Sequence, residues 1–214
     1  MGLDLYWDHN AWYQARLLRA LPARLDEVLD VGCRAGSFAA RLAARARHVD
    51  AIDRAPHMVA LAREVVSGNV DVRVEDLTTV HLPPAHYDAV TSISALHHVE
   101  LTTALPRLAQ TLRPGGLLVA VALPKIDLPR DLPIEALSVV GNRLLGATFR
   151  LEQTLTGRRR YAYEASVRVM PMQDPVLTTR QVAAQAARVL PGVQVRRLPF
   201  WRYELRWQRP PIPA

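Results

Sequence analysis

The sequence predicts an α/β protein built on a doubly wound parallel sheet. Three observations carry this. Short apolar segments alternate with helix-period segments five times before residue 123. Leu117–Leu123 is an unbroken apolar run, as expected of a strand covered on both faces. The stretch VLDVGCRAGSF (residues 28–38) ends an apolar run on a glycine turn, and small residues open a helix after it. Sheets of this kind take ligands outside the carboxyl ends of their strands.

Each element has a local reason. Residues 9–21 set Trp12, Ala15, Leu18 and Leu21 near helical spacing, and Pro22 ends the helix. Glu27–Gly32 is a buried strand and Ser37–Arg47 an Ala/Arg/Leu helix. His48–Asp53 is a second short strand, ending on an acid. Pro56 suits the first turn of a helix that runs to about Ser67. Val70–Val74 alternates as a strand, Tyr87–Ser92 is another, and Thr102–Leu112 is helical. Arg113–Gly116 is a turn before the apolar strand.

After Pro124 the rhythm breaks. Residues 125–177 hold prolines at 129, 133, 171 and 175 and the basic run Arg158–Arg160, and are expected to be an insertion with helix over about 133–146. Thr178–Leu190 is a helix with Thr178 or Thr179 as N-cap and Pro191-Gly192 as its stop. Val193–Leu198 and Trp201–Gln208 alternate as a closing antiparallel pair. With no repeat and no low-complexity linker, residues 1–214 are expected to be one domain.

Composition narrows the function. The 214 residues carry a formal charge of +7, yet there is one lysine, Lys125, and the remaining cations are arginine. That Arg/Ala/Leu/Pro bias fits a GC-rich genome better than a phosphate-binding surface, and no aromatic-interleaved basic stretch accompanies it, so nucleic acid is not the expected partner. Cys33 is the single cysteine, which excludes an intrachain disulfide and a CxxC metal site. No His/Cys/Asp cluster has metal spacing. MGLDLYWDHNAWYQ has no signal-peptide core, and no window approaches 18 uninterrupted apolar residues. The expectation is a soluble cytoplasmic protein, monomeric or homodimeric, with no membrane partner.

Four carboxylates are grouped with the strand ends: Asp30 near the first, Asp53 at the second, Asp76 after the third and Asp88 inside the fourth. An acid ending the second strand can accept both hydroxyls of a ribose. Asp76 can accept from an exocyclic amine such as adenine N6, and Asp30 can meet an ammonium group. Together they suit a ligand with adenosine at one end and a cation at the other. A dinucleotide is less well matched, because its pyrophosphate calls for a GxGxxG turn and this turn is GCRAGS.

The stretches VLDVGCRAGSFAARLA, AIDRAPHMVALAR, VEDLTTVHLPPAHYDAVTSISALHHV and LAQTLRPGGLLVAVALP, within about residues 25–123, resemble in order and spacing the motifs of the class I S-adenosylmethionine-dependent methyltransferases, and more narrowly the small-molecule enzymes of the methyltransferase 11/25 type. The resemblance implies a Rossmann-like three-layer sandwich around seven strands in order 3-2-1-4-5-7-6, the last antiparallel. It implies S-adenosylmethionine as cofactor, S-adenosylhomocysteine as product, and methyl transfer to an O, N or C nucleophile of a small molecule, in keeping with bacterial secondary metabolism. It assigns Asp30, Gly32, Cys33, Arg34 and Gly36 to the loop that serves the methionine moiety. Asp53 would hold the ribose, with Arg54 and Met58 beside the adenine. Asp76 would accept from N6, Leu77 would donate its backbone N–H to N1, and Ser92 would add a backbone contact near the methionine amine. His97 and His98 would flank the methyl-transfer face, His97 being the preferred base. Residues 1–22 would form a helical lid, with Tyr6, His9 and Tyr13 as substrate-side candidates, and residues 125–177 would line the acceptor pocket. The family's middle glycine is Arg34 here, whose guanidinium either pairs with the methionine carboxylate or faces solvent. The alternative function is a cofactor-binding homologue that does not methylate. Base methylation of RNA is disfavoured, because Thr91-Ser92-Ile93-Ser94 stands where an Asn/Asp-Pro-Pro-Tyr motif would be.

Overall fold

The computed structural model describes residues 5–161 and 174–211, so residues 1–4 of the expected lid and 162–173 of the expected insertion lie outside the described residues. Seven strands form one sheet in the order β3-β2-β1-β4-β5-β7-β6. They are β1 (Leu25–Val31), β2 (Ala46–Asp53), β3 (Val70–Val74), β4 (Tyr87–Ile93), β5 (Leu112–Ala122), β6 (Gln194–Leu198) and β7 (Arg202–Gln208). The first five run parallel, and β7 runs antiparallel to both β5 and β6.

Strand alternation decides which side chains feed which core. In β5, Val119 and Val121 face a core shared with α1 (His9–Ala20), α2 (Ser37–Ala43) and α3 (Pro56–Val65). Leu118, Ala120 and Ala122 face the opposite core, made with α4 (Leu101–Thr111) and α6 (Thr179–Val189). The unbroken apolar run is therefore a strand buried on both sides. Helix α1 is started by Asp8, whose carboxylate accepts from the Asn10 and Ala11 N–H groups. Helix α6 begins with a capping box between Thr178 and Gln181.

Several boundaries differ from expectation. The helix expected to reach Arg47 stops at Ala43, because Ala46 and His48 pair with Leu25 and Glu27 of β1. The turn expected at Arg113–Gly116 lies within β5, as an irregularity where the pairing with β4 shifts between Tyr87 and Ala89. Asp88, grouped above with the strand-end acids, sits at the opposite end of the sheet. Its Oδ2 accepts from the Asp26 and Glu27 N–H groups at 2.7 and 3.0 Å, and its Oδ1 from Arg113, so it fastens the start of β1. The helix expected over 133–146 is α5, Leu132–Thr156, ten residues longer at its carboxyl end.

Candidate active site

The glycine turn after β1 keeps its shape despite the arginine. Gly32, Arg34 and Gly36 all have positive φ, at 74°, 52° and 80°. Gly32 also has no room for a side chain, since a Cβ there would lie 2.3 Å from the Cβ of Ala95. The Arg34 N–H donates to Asp53 Oδ2 at 2.9 Å, which ties the turn to the end of β2. Asp53 Oδ1 accepts from the Ala55 N–H at 2.9 Å. Each oxygen uses one such bond, and a carboxylate has about four acceptor sites, so capacity for two hydroxyls remains.

Two adjoining cavities meet at Gly32 and Arg34. The first is lined by Asp53, Arg54, Asp76 and Leu77, together with Ser94, Ala95 and His98. Asp76 is exposed, and its Oδ1 accepts from the Thr78 N–H and hydroxyl at 2.8 and 2.6 Å. Those bonds hold its carboxyl below the usual range, so it is a ready acceptor. The second cavity is lined by Asp30, Gly32, Cys33 and Arg34, and by Asp8, Asn10 and Gln14 from the start of α1. Asp30 is buried at 2 % exposure. Its Oδ1 accepts from the Thr91 hydroxyl at 2.9 Å, while Oδ2 has no partner among the described residues. Burial pushes its pKa up to about 7, Thr91 opposes this, and Asp53 adds to it. A buried carboxylate oxygen left without a protein partner beside a cavity is the counterpart of a ligand ammonium group. Burial also raises the Cys33 thiol, so it stays protonated and packs as a small apolar group.

Not every expected residue lies here. Met58 is fully buried under α3 and does not line the cleft; its neighbour His57 does, because Met58 points inward on the core side of that helix. Ser92 is fully buried within β4, where its hydroxyl donates to the Val31 carbonyl at 2.9 Å. The strand continues to Ile93, so Ile93, Ser94 and Ala95 reach the cavities instead. His98 lines the first cavity, whereas His97 does not. Burial, His98 and Arg202 lower the His97 pKa to about 3, which makes it a poor proton acceptor. Gly36 sets the first turn of α2, packed on Ala62.

The lid residues divide by helical face. His9 is buried, stacked on Phe200 at 5.5 Å with its Nε2 2.9 Å from Asn142 Oδ1. The Tyr13 hydroxyl donates to the Pro199 carbonyl at 2.7 Å, and burial raises its pKa to about 12. Both therefore hold α1 against the β6–β7 end, and Tyr6 is exposed and lines neither cavity. The cavity-facing residues are Asn10 and Gln14, one helical turn apart. The Gln14 amide donates to the Ser37 hydroxyl at 3.0 Å, and Asn10 Oδ1 accepts from Ser94 at 2.7 Å and from Arg202 at 3.0 Å. Their i and i+4 spacing, which puts two amide side chains on one face of the helix, was the available signal for them.

A protein-family model described as "Methyltransferase domain" matches residues 28–116. An uncharacterized methyltransferase of Mycobacterium tuberculosis (strain H37Rv) is 32 % identical over 210 residues, covering 97 % of this chain and all of that protein. The chain belongs to the class I S-adenosylmethionine-dependent methyltransferases. A ubiquinone biosynthesis O-methyltransferase of Xylella fastidiosa is 36 % identical over 155 residues, 64 % of this chain and 59 % of that one. Among solved structures, a methyltransferase from Mesorhizobium loti superposes with a TM-score of 0.61 at 20 % identity, covering 91 % and 96 % of the two chains. The DhpI–S-adenosylhomocysteine complex superposes at 0.62 and 18 % identity, covering 95 % and 85 %. The seven-stranded order seen here is the fold of these methyltransferases.

Proposed function

We propose that this methyltransferase transfers a methyl group to an O, N or C nucleophile of a small molecule. The observation that carries the reading is the buried Asp30 Oδ2, without a partner among the described residues, in a cavity that adjoins the one at the Asp53 and Asp76 strand ends. In this reading Asp30 faces the cofactor's ammonium group, Asp53 the ribose hydroxyls, and Asp76 and Leu77 the adenine edge. When bound, the cofactor supplies an electrophilic sulfonium methyl. The chain's part is then positional: it holds the nucleophile in line near that methyl and keeps water out. Ser94 and His98, which follow β4, flank that face. With His97 a poor proton acceptor, His98 is the better-placed histidine, and a base is needed only for an acceptor that arrives protonated. Arg34 borders both cavities, within the reach of a methionine carboxylate. Helix α1 would close the methionine end through Asn10 and Gln14, and α5 would bound the acceptor side.

Calorimetry with S-adenosylhomocysteine tests the site, and a labelled-methyl screen against small-molecule acceptors and RNA tests the reaction. Binding with label transfer to a small molecule is the expected result. Binding without transfer to any acceptor would favour a non-methylating homologue, and no binding would end both readings.

A further inference from the structure

Helix α5 has two opposed faces. Its inner face clamps the N-terminal segment. A Cβ on Gly146 would lie 2.2 Å from the Leu5 carbonyl oxygen, Trp7 Nε1 donates to the Asn142 carbonyl at 3.2 Å, and the Trp7 and Phe149 rings meet edge to face at 5.4 Å. Its outer face carries Leu137, Val140, Leu144, Leu151 and Leu155, at helical spacing and 55–74 % exposed. Leu128 and Leu132 add to the exposed apolar surface at its start. An exposed apolar stripe along a helix of about 37 Å marks an interaction surface.

The charges beside the stripe indicate what covers it. Among residues 127–161 each acid is already in an ion pair: Asp127 with Arg180, Asp131 and Glu135 with Arg197, and Glu152 with Arg160. Arg130, Arg143, Arg150, Arg158 and Arg159 have no carboxylate partner among the described residues. Arg143 and Arg150 stand seven residues apart, on one flank of the stripe. A symmetric antiparallel pairing of two α5 helices would set these arginines against their own counterparts. A surface of anionic lipid offers the opposite charge beside an apolar layer.

We infer that the outer face of α5 docks on an anionic lipid surface, the leucines entering the acyl boundary and the arginines meeting headgroup phosphates. No helix among the described residues is long and apolar enough to cross a membrane, so the contact is peripheral. It revises the sequence expectation of no membrane partner and stands independently of the proposed reaction.

The test is flotation of the full chain with vesicles of phosphatidylcholine, alone or mixed with phosphatidylglycerol. The expected result is recovery with the mixed vesicles only, reversed by high salt. Arg143→Gln with Arg150→Gln should weaken partitioning about thirtyfold, from about fivefold per arginine. Leu144→Gln with Leu151→Gln should abolish it, with thermal unfolding and S-adenosylhomocysteine affinity unchanged in both variants. Recovery with neither vesicle, equal recovery with both, or a sedimentation-velocity dimer that the leucine variant dissociates would overturn the inference.

Discussion

At the Asp53 and Asp76 end of the cleft, which we propose takes the adenosine, the acids are paired with their own neighbours; at the Asp30 end, proposed for the methionine moiety, the acid is buried and one oxygen has no partner among the described residues. Asp76 is exposed and satisfied by Thr78, two residues away. Asp30 is buried, and the groups that enclose it come from β1, β4 and α1. The first arrangement costs little to keep without a ligand. The second stores an electrostatic demand that a cation answers, because a buried carboxylate without a full set of partners is pushed toward its protonated form. The two ends should therefore respond differently to substitution and to pH.

The largest effect is expected where both ends meet. Gly32→Ala combines a φ of 74° with a 2.3 Å approach to Ala95, and should cost on the order of 3 kcal/mol. Thermal unfolding should fall by about 10 °C. A drop under about 2 °C would mean that the turn adapts freely. Asp53→Ala removes the anchor of the turn and the proposed ribose acceptor, and should weaken adenosine and S-adenosylhomocysteine alike, by about 100-fold in calorimetry.

Asp30→Asn separates the ends. It should weaken S-adenosylhomocysteine by about tenfold at pH 7.5 and leave adenosine unchanged; an equal loss for both ligands would break the comparison. In the native chain, an ammonium beside Asp30 lowers its pKa from about 7, so binding releases a proton below that value. Affinity should thus rise with pH between 5 and 7, by up to about tenfold per unit, and Asp30→Asn should flatten the rise. Stability carries the opposite sign. The folded carboxyl sits above its unfolded pKa, so the free protein loses stability as pH rises from about 4 to 7, and the variant does not. Denaturant midpoints at pH 5 and pH 8 measure this.

The smallest expected effect is at Arg34→Gly. The N–H bond to Asp53 survives and the left-handed φ of 52° becomes unstrained, so stability should rise by about 0.5–1 kcal/mol. Any accompanying loss of S-adenosylhomocysteine affinity reads the pairing of the guanidinium with the methionine carboxylate, and unchanged affinity shows that it faces water.

The strand-end acids Asp30, Asp53 and Asp76 were legible because strand, turn and acid are adjacent in sequence, and each reaches a cavity. Asp88 looked equivalent, but its position near the start of β4 puts it at the far end of the sheet. Met58 faces the core while its neighbour His57 lines the cleft, because one residue along a helix turns a side chain to another face. On α1 the sequence pointed to His9 and Tyr13. Those residues serve Asn142 and Pro199, from segments more than 130 positions away, while Asn10 and Gln14 take the cavity.

The sequence by itself determined the alternation of strands and helices, the glycine turn with an arginine in it, and the three acids that end successive strands. These are local matters of periodicity and backbone freedom, and nearest neighbours settle them. Only the tertiary structure decided that Arg34 keeps the left-handed turn, which face of α1 meets the cavity, and, among the described residues, that Asp30 is buried with one oxygen unpartnered and that α5 carries an exposed stripe of leucines. Burial and pairing depend on segments distant in the chain, so periodicity can mark an apolar face without showing what it packs against.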